Sequence, residues 1–310
     1  MAQRHAPTPL GGPETEALPW GRRRRLCSAA GLIGSGLAVR TVPAWAQAGE
    51  ATSLPIFDAH LHYSHDAWER LSPKEAVALM RQAGLKRAMV SSSNDEGTQK
   101  LHAEAPDLVL PVLRPYRLRS DVGTWLRDET VVAHLEARLA KYRYVAIGEY
   151  HVSGEDADLP VMRRVVQIAR ERRLALHSHS DADAVERQFK QDAGARILWA
   201  HSGFDTPANV RAMLRRHRNL WCDLAFRSDH ALVDGQRGRV EPAWREAFVE
   251  FPDRFLVGTD TFTPERWFYV GEHARWSRLW LADLPRELAE AIAWRNGERL
   301  FGQPWIASGR

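Results

Sequence analysis

A chain of 310 residues with 44% hydrophobic and 26% charged residues has room for one large domain or two ordinary ones, and the composition to bury a core. Its formal net charge of +4 is an end effect: residues 1–46 hold six of the 43 Lys+Arg and two of the 39 Asp+Glu, which leaves 37 of each in the remainder. A neutral remainder offers no groove for backbone phosphates, so nucleic acid is excluded as the expected partner and a small-molecule substrate is expected instead.

Residues 21–47 read "GRRRRLCSAAGLIGSGLAVRTVPAWAQ": an arginine cluster, a small-residue apolar run from Leu26 to Val39, and "AWA" at Ala44–Ala46. That order is the one of a cleavable export signal, with a cut before Gln47. The paired arginines ahead of a weakly apolar stretch resemble a twin-arginine (Tat) signal, which implies transient contact with the Tat export machinery and a periplasmic or secreted product exported folded. The run is too short and too Gly-rich for a membrane span, so no stable anchor is expected after cleavage. Residues 1–46 are thus read as a signal and 47–54 as a short linker. Cleavage would leave Cys222 as the sole cysteine, which excludes an internal disulfide and a cysteine zinc site.

From Leu54 onward, short aliphatic runs alternate with amphipathic helical patterns. The predicted strands, in chain order, are "PIFDAHLH", "KRAMVSS", "LVLPVLR", "YVAIGEYH", "LALHSHS", "RILWAHSG", "LWCDLAF" and "RFLVGTD". Between them lie patterns such as "SPKEAVALMRQAG" and "LPVMRRVVQIARERR", with apolar residues at three- and four-residue spacing. Ser72-Pro73 and Thr206-Pro207 each pair an N-cap residue with a first-turn proline. Eight strand–helix units predict an α/β fold, a (β/α)8 TIM barrel forming a single catalytic domain over 55–302, with a doubly wound sheet as the alternative. "RWFYVGEHARWSRLWL" and "PRELAEAIAWRNGERLF" read as extra C-terminal helices, and 303–310 as a tail.

In a parallel barrel the site lies at the carboxyl ends of the strands. Five predicted strands end in possible metal ligands: His60 and His62 on the first, Glu149 on the fourth, His177 and His179 on the fifth, His201 on the sixth, Asp260 on the eighth. Residues i and i+2 of a strand share a face, so His60 and His62 point the same way, as do His177 and His179. Neutral imidazoles with carboxylates suit zinc, manganese or iron. Each residue alone has a plainer reading, such as a hydrogen-bonded core histidine, a salt-bridged Glu149 or a turn-capping Asp260; it is their coincidence at five strand ends that points to metal. His102, His134, His217 and His273 fall on helical patterns, where the plainer reading holds. His151 is either a supporting group beside Glu149 or a surface residue. Arg114 and Arg227 lie at strand ends, where a guanidinium can grip a carboxylate or phosphate and so implies an anionic substrate; Arg117 is close by, and loop-holding is the equal alternative. Asp58 shares the parity of His60 one step deeper and is read as a group orienting an imidazole rather than as a ligand.

"DAHLH", the strand-four glutamate, the histidines of strands five and six and "GTD" together resemble the metal-dependent amidohydrolase superfamily, its amidohydrolase-2 branch in particular. "RILWAHSGF", "LWCDLAFR" and "WRNGERLF" extend the resemblance over roughly residues 55 to 302. The resemblance implies that His60, His62 and a fifth-strand histidine bind metal and that Asp260 is ligand and proton shuttle. His201 would bind a second metal or polarise the substrate. It also implies one or two divalent ions, zinc first, that generate the attacking hydroxide. Two features depart from the pattern. Many members carry a bridging carbamylated lysine where this chain has Glu149, and in this it resembles TatD-type nucleases, in which a glutamate occupies the position. The fifth strand doubles its histidine, with His179 preferred over His177 as the ligand because it leads directly into the turn. The expected activity is hydrolysis of a C–O or C–N bond; a decarboxylase and a non-catalytic metal- or ligand-binding protein are the alternatives.

Overall fold

A computed structural model describes residues 54–227, 232 and 239–301. The expected signal, all but the last residue of the linker, and the tail lie outside the described residues. Eight strands stand in sequential order: β1 (Ile56–His62), β2 (Leu85–Ser91), β3 (Val109–Leu113), β4 (Ala146–Val152), β5 (Ala175–Ser180), β6 (Ile197–Trp199), β7 (Leu220–Asp223) and β8 (Phe255–Leu256). Every neighbouring pair is parallel. The sheet closes on itself where the Ala59 amide donates to Val257 O at 2.8 Å and the Asp260 amide to His60 O at 2.7 Å. All eight predicted strands are present, and the closure makes this a (β/α)8 barrel rather than a doubly wound sheet.

Helices follow the strands in turn: α1 (Pro73–Gln82), α2 (Glu96–Glu104), α3 (Thr130–Lys141), α4 (Pro160–Arg172), α5 (Ala182–Gln191), α6 (Pro207–Arg216), α7 (Pro242–Glu250) and α8 (Val270–Leu281). The two sequence-read caps act as such. Ser72 Oγ accepts from the Glu75 amide while Glu75 Oε2 accepts from the Ser72 amide at 2.9 Å, and Thr206 Oγ1 accepts from the Asn209 amide. Short helices at Arg286–Glu290 and Asn296–Phe301 close the chain; Asn296 donates to Pro252 O and Phe255 O, both at 2.9 Å, and so ties this segment to the start of β8.

Apolar side chains fill both sides of the sheet. One cluster takes a residue from nearly every strand (Phe57, Met89, Leu110, Ala146, Ala175, Leu198, Leu256) and is stoppered by Phe301, whose ring stacks on Phe57. The larger cluster packs the outward strand residues, such as Ile56, Leu61, Ile147 and Leu176, against the helices. Buried His60, His62, Glu149, His177, His201, Asp223 and Asp260 lie at or just past the carboxyl ends of their strands.

Candidate metal centre

On β1, alternation is broken. Phe57 and Ala59 pack into the inner apolar cluster, yet Leu61 belongs to the outer one, because the pairing with β2 shifts register between Asp58 and Leu61. The shift turns His60 and His62 inward. His62 Nδ1 lies 2.9 Å from Ser91 Oγ and 3.2 Å from Ser91 O; the carbonyl can only accept, which suits a hydrogen on Nδ1 and a lone pair at Nε2. His60 Nδ1 faces Asp223 Oδ2 at 3.2 Å, which leaves its Nε2 pointing at that of His62, 3.1 Å away. Around these two nitrogens stand Glu149 Oε2, at 3.1 Å from His62 and 3.6 Å from His60, and Asp260 Oδ1, at 3.3 and 3.7 Å. Asp260 Oδ1 is buried and accepts no hydrogen bond among the described residues. A buried, orphaned carboxylate oxygen beside two convergent imidazole nitrogens is a donor set that fits a divalent cation.

Glu149 reaches this place because β4 also shifts register, between Gly148 and Tyr150. Gly148 has φ 138°, and a Cβ there would lie 2.2 Å from His177 O, so only glycine lets β4 and β5 come this close. His201 sits just past β6 in a turn where His201, Ser202, Gly203 and Phe204 all have left-handed φ near 52–65°. Gly203 there has its Cα face on Trp199, where a Cβ would meet the indole at 2.1 Å. Asp260 and Phe226 are likewise left-handed, at φ 50° and 58°, so strained backbone collects around one cavity. His201 Nδ1 donates to Ala225 O at 3.0 Å, leaving Nε2 bare and 3.7 Å from Asp260 Oδ2.

The sequence reading passed over Asp223 as a site residue. This wholly buried carboxylate ends β7 and joins four partners: His60 Nδ1 at 3.2 Å, His177 Nε2 at 2.9 Å, and the amides of His201 (3.0 Å) and Ala225 (3.1 Å). It performs the orienting task expected of Asp58. Asp58 instead accepts from the His60 amide at 3.0 Å, the Thr259 amide at 3.1 Å and Thr259 Oγ1 at 2.6 Å, clamping β1 to β8. The β1 register shift separates Asp58 from the face of His60, which is why parity misplaced it. A carboxylate as the last residue of a strand was the available signal for Asp223.

The doubled histidines divide. His177 lies deep, against Asp223 and the His60 ring; His179 is at the mouth, its Nδ1 2.6 Å from Glu149 Oε1. A cavity of about 510 Å³ opens here, lined by Glu149, His179, His201 and Asp260 together with Arg114, Arg119 and Phe204. Arg114 does reach it, but its guanidinium is spent on Glu149, donating to the main-chain O at 2.9 Å and to Oε2 at 2.8 Å. Arg227 is not among the lining residues: it donates to Asp205 O and lies 5.0 Å over Trp244 and 5.9 Å over the cavity-lining Phe204, contacts that match the loop-holding alternative. Arg117 likewise holds a loop, through Asp121 and Asp128. The arginine that sequence reasoning missed is Arg119, which lines the cavity with half its side chain exposed and pairs with Asp66. Away from the site, His102 and His217 are hydrogen-bonded to Val109 O and Glu186, the plain role expected of them.

Electrostatics follow from this packing. Burial alone would strip the proton from His60, but the carboxylates of Asp260, Asp223 and Glu149 outweigh it and hold the imidazole well above its ordinary value. In return, the His60 charge overcomes burial and pulls Asp260 down to about 2, and Glu149 and Asp223 well below the carboxylate range. Burial and the nearby His60 charge push His201 down to about 4, so it is neutral. The metal-free chain therefore keeps a proton on His60 near neutrality, in the place a cation would take. Loading with Zn²⁺ should expel it: titration calorimetry at pH 7 in buffers of different ionisation enthalpy should report about one proton released through His60, and affinity should rise with pH. Uptake without proton release would contradict this.

Comparison with known proteins agrees with the geometry. The amidohydrolase profile of the amidohydrolase-2 family matches residues 57–303. Among solved structures, an uncharacterized TIM-barrel protein from Bordetella bronchiseptica superposes with TM-score 0.54 at 14% identity, over 80% of this chain and 99% of that one. A probable 2-pyrone-4,6-dicarboxylic acid hydrolase from Acinetobacter baumannii gives TM-score 0.50 at 11% identity, over 80% and 99%. An amidohydrolase from Burkholderia multivorans gives 0.50 at 14% identity, also over 80% and 99%. No curated protein sequence matches significantly. At these identities the structures attest the fold, and the profile match attests the family. With a barrel whose strand ends carry His60, His62, Glu149, His201 and Asp260, the chain belongs to the amidohydrolase family.

Proposed function

We propose that the protein is a metal-dependent hydrolase acting on a C–O or C–N bond of a small anionic substrate. The observation that carries this is the position of Glu149: its carboxylate is turned into the cluster with His60 and His201 rather than away from it. His60 Nε2, His62 Nε2, Asp260 Oδ1 and Glu149 Oε2 would hold the cation, with zinc first and manganese or iron as other fits. A divalent cation bound there supplies Lewis acidity and makes water acidic enough to ionise near neutrality. Asp260, ionised and with Oδ1 turned to the cation site, has Oδ2 left to take the proton of the attacking water and return it to the leaving group. His201 carries its hydrogen on Nδ1, so Nε2 offers a lone pair; this suits binding a cation better than donating to a developing oxyanion. Arg119, across the cavity, is the cation placed to meet a substrate carboxylate, while Phe204, Phe226 and Phe262 present apolar wall.

The test is a panel of esters, lactones, amides and phosphoesters offered to the metal-replete protein, anionic lactones included because the A. baumannii neighbour's name concerns a pyrone dicarboxylate. Hydrolysis that stops on chelation and returns with metal is expected. Release of CO₂ from an aromatic carboxylate without hydrolysis would move the reading to a decarboxylase. We further place the mature protein outside the cytoplasm, beginning at Gln47; N-terminal sequencing of the exported form tests this, and Arg24→Lys with Arg25→Lys should trap the precursor inside.

A further inference from the structure

We infer that the amino-terminal end of the barrel, opposite the metal cup, carries a binding site for a small organic oxyanion, made by Arg170, Arg173 and Arg196. The chain passes this end twice in succession: Arg173 follows α4 and leads into β5, and Arg196 directly precedes β6. Between the two connections lies a cavity of about 410 Å³, lined by these three arginines and by one carboxylate, Asp192. That carboxylate is occupied within its own turn, where Oδ1 accepts from the Gly194 amide at 3.0 Å. Val166, Ala169 and Leu174 give the cavity an apolar wall.

The three cations are unbalanced. On the same two helices, Arg163, Arg164 and Arg187 each face carboxylates, those of Asp158, Glu136, Glu171 and Asp183. Arg170, Arg173 and Arg196 pair with none among the described residues. Arg196 is half-buried, and its hydrogen bond goes to a neutral partner: Nη2 donates to Arg173 O at 2.6 Å. Burial pulls its guanidinium below the usual value, with no carboxylate acting against it. Drawing a cation out of water without a counter-charge is unfavourable, and a bound anion would offset it. Arg173, at φ 57° and ψ 34°, holds the left-handed conformation in which a helix end ordinarily takes glycine. An arginine there carries strain that a mere helix stop would avoid. The simpler explanation is that basic residues at the end of α4 offset the helix dipole. It covers Arg170, but it requires neither a strained Arg173 nor a cation brought in from the β6 connection. Guanidinium forks grip phosphoryl and carboxylate oxygens in pairs. Three of them against one occupied carboxylate favour a doubly charged head, and the apolar wall favours a hydrocarbon body attached to it.

The test is calorimetric titration of the metal-replete protein with phenylphosphonate, which has no ester bond to hydrolyse, and with benzoate and inorganic phosphate. The proteins are the wild type, Arg173→Gly, Arg170→Gln and, as a control at the mouth, Arg119→Gln. Thermal melts check folding, and Arg173→Gly, which relieves the left-handed strain, should melt no lower than the wild type. Phenylphosphonate should bind the wild type more tightly than either other anion does. That binding should weaken at least tenfold in Arg173→Gly and Arg170→Gln and persist in Arg119→Gln. Unchanged affinity in the first two variants, loss in Arg119→Gln alone, or no binding by the wild type overturns the inference. Equal affinities for the three anions overturn the organic, doubly charged ligand. If Arg173→Gly melts early, Arg170→Gln, an exposed change, still decides the matter.

Discussion

Asp260→Asn should leave a folded, metal-binding protein that has lost turnover. Asn keeps the size of Asp260 and one oxygen, but cannot take a proton from water and hand it on. Removing a positioned acid–base group lowers kcat by roughly 10²–10⁴. The carboxylate would also help hold a cation, with Oδ1 at 3.3 Å from His62 Nε2 and 3.7 Å from His60 Nε2. Metal affinity should therefore weaken too, yet much less than kcat, because His60, His62 and Glu149 remain. The paired readout is kcat at saturating metal and metal content by elemental analysis. A variant within tenfold of wild-type kcat would remove Asp260 from the proton path; equal loss of metal and activity would make it a ligand only.

Asp223→Ala should have the largest effect on the fold. The residue is wholly buried, and the change leaves His60, His177 and two amides without their acceptor. Breaking a buried charged pair by removing one partner costs about 3–5 kcal/mol. Asp223→Asn separates this structural cost from the electrostatic one. The amide oxygen can still accept from the His201 and Ala225 amides, but its NH₂ must face His60 Nδ1 or His177 Nε2. Loss of the carboxylate that sets the His60 tautomer should weaken metal binding about 10–100-fold, as such supporting groups do. Urea unfolding of the metal-free proteins and Zn²⁺ titration of each variant measure the two effects separately. If Asp223→Asn binds Zn²⁺ as wild type does, the orienting role is wrong.

Much of this site was legible because strand geometry is local. "HLH" and "HSH" place imidazoles two residues apart, and a parallel barrel sends the ends of all its strands to one face, so His60, His62, Glu149, His201 and Asp260 could be grouped without knowing a single distance. Three features could not be read. Parity fails at a register shift, and β1 has one between Asp58 and Leu61, which put Asp58 on the clamp to β8 instead of on an imidazole. Asp223 is a lone carboxylate after Cys222, indistinguishable from a turn cap until closure of the barrel brings β7 against His60 and His177. The direction of an arginine depends on loops: Arg114 lines the cavity but folds back on Glu149, Arg227 turns to Asp205 and Trp244, and Arg119, at the start of a short 3-10 turn after β3, lines the cavity from the other side.

The most direct measurement is the metal content of the purified mature protein, by elemental analysis, beside a His60→Ala, His62→Ala double variant purified in the same way. The cup of His60, His62, Glu149 and Asp260 predicts at least one divalent ion per wild-type chain, retained through desalting, and its loss from the double variant. A wild type that carries no stoichiometric metal and takes up none on incubation with Zn²⁺, Mn²⁺ or Fe²⁺ would contradict it.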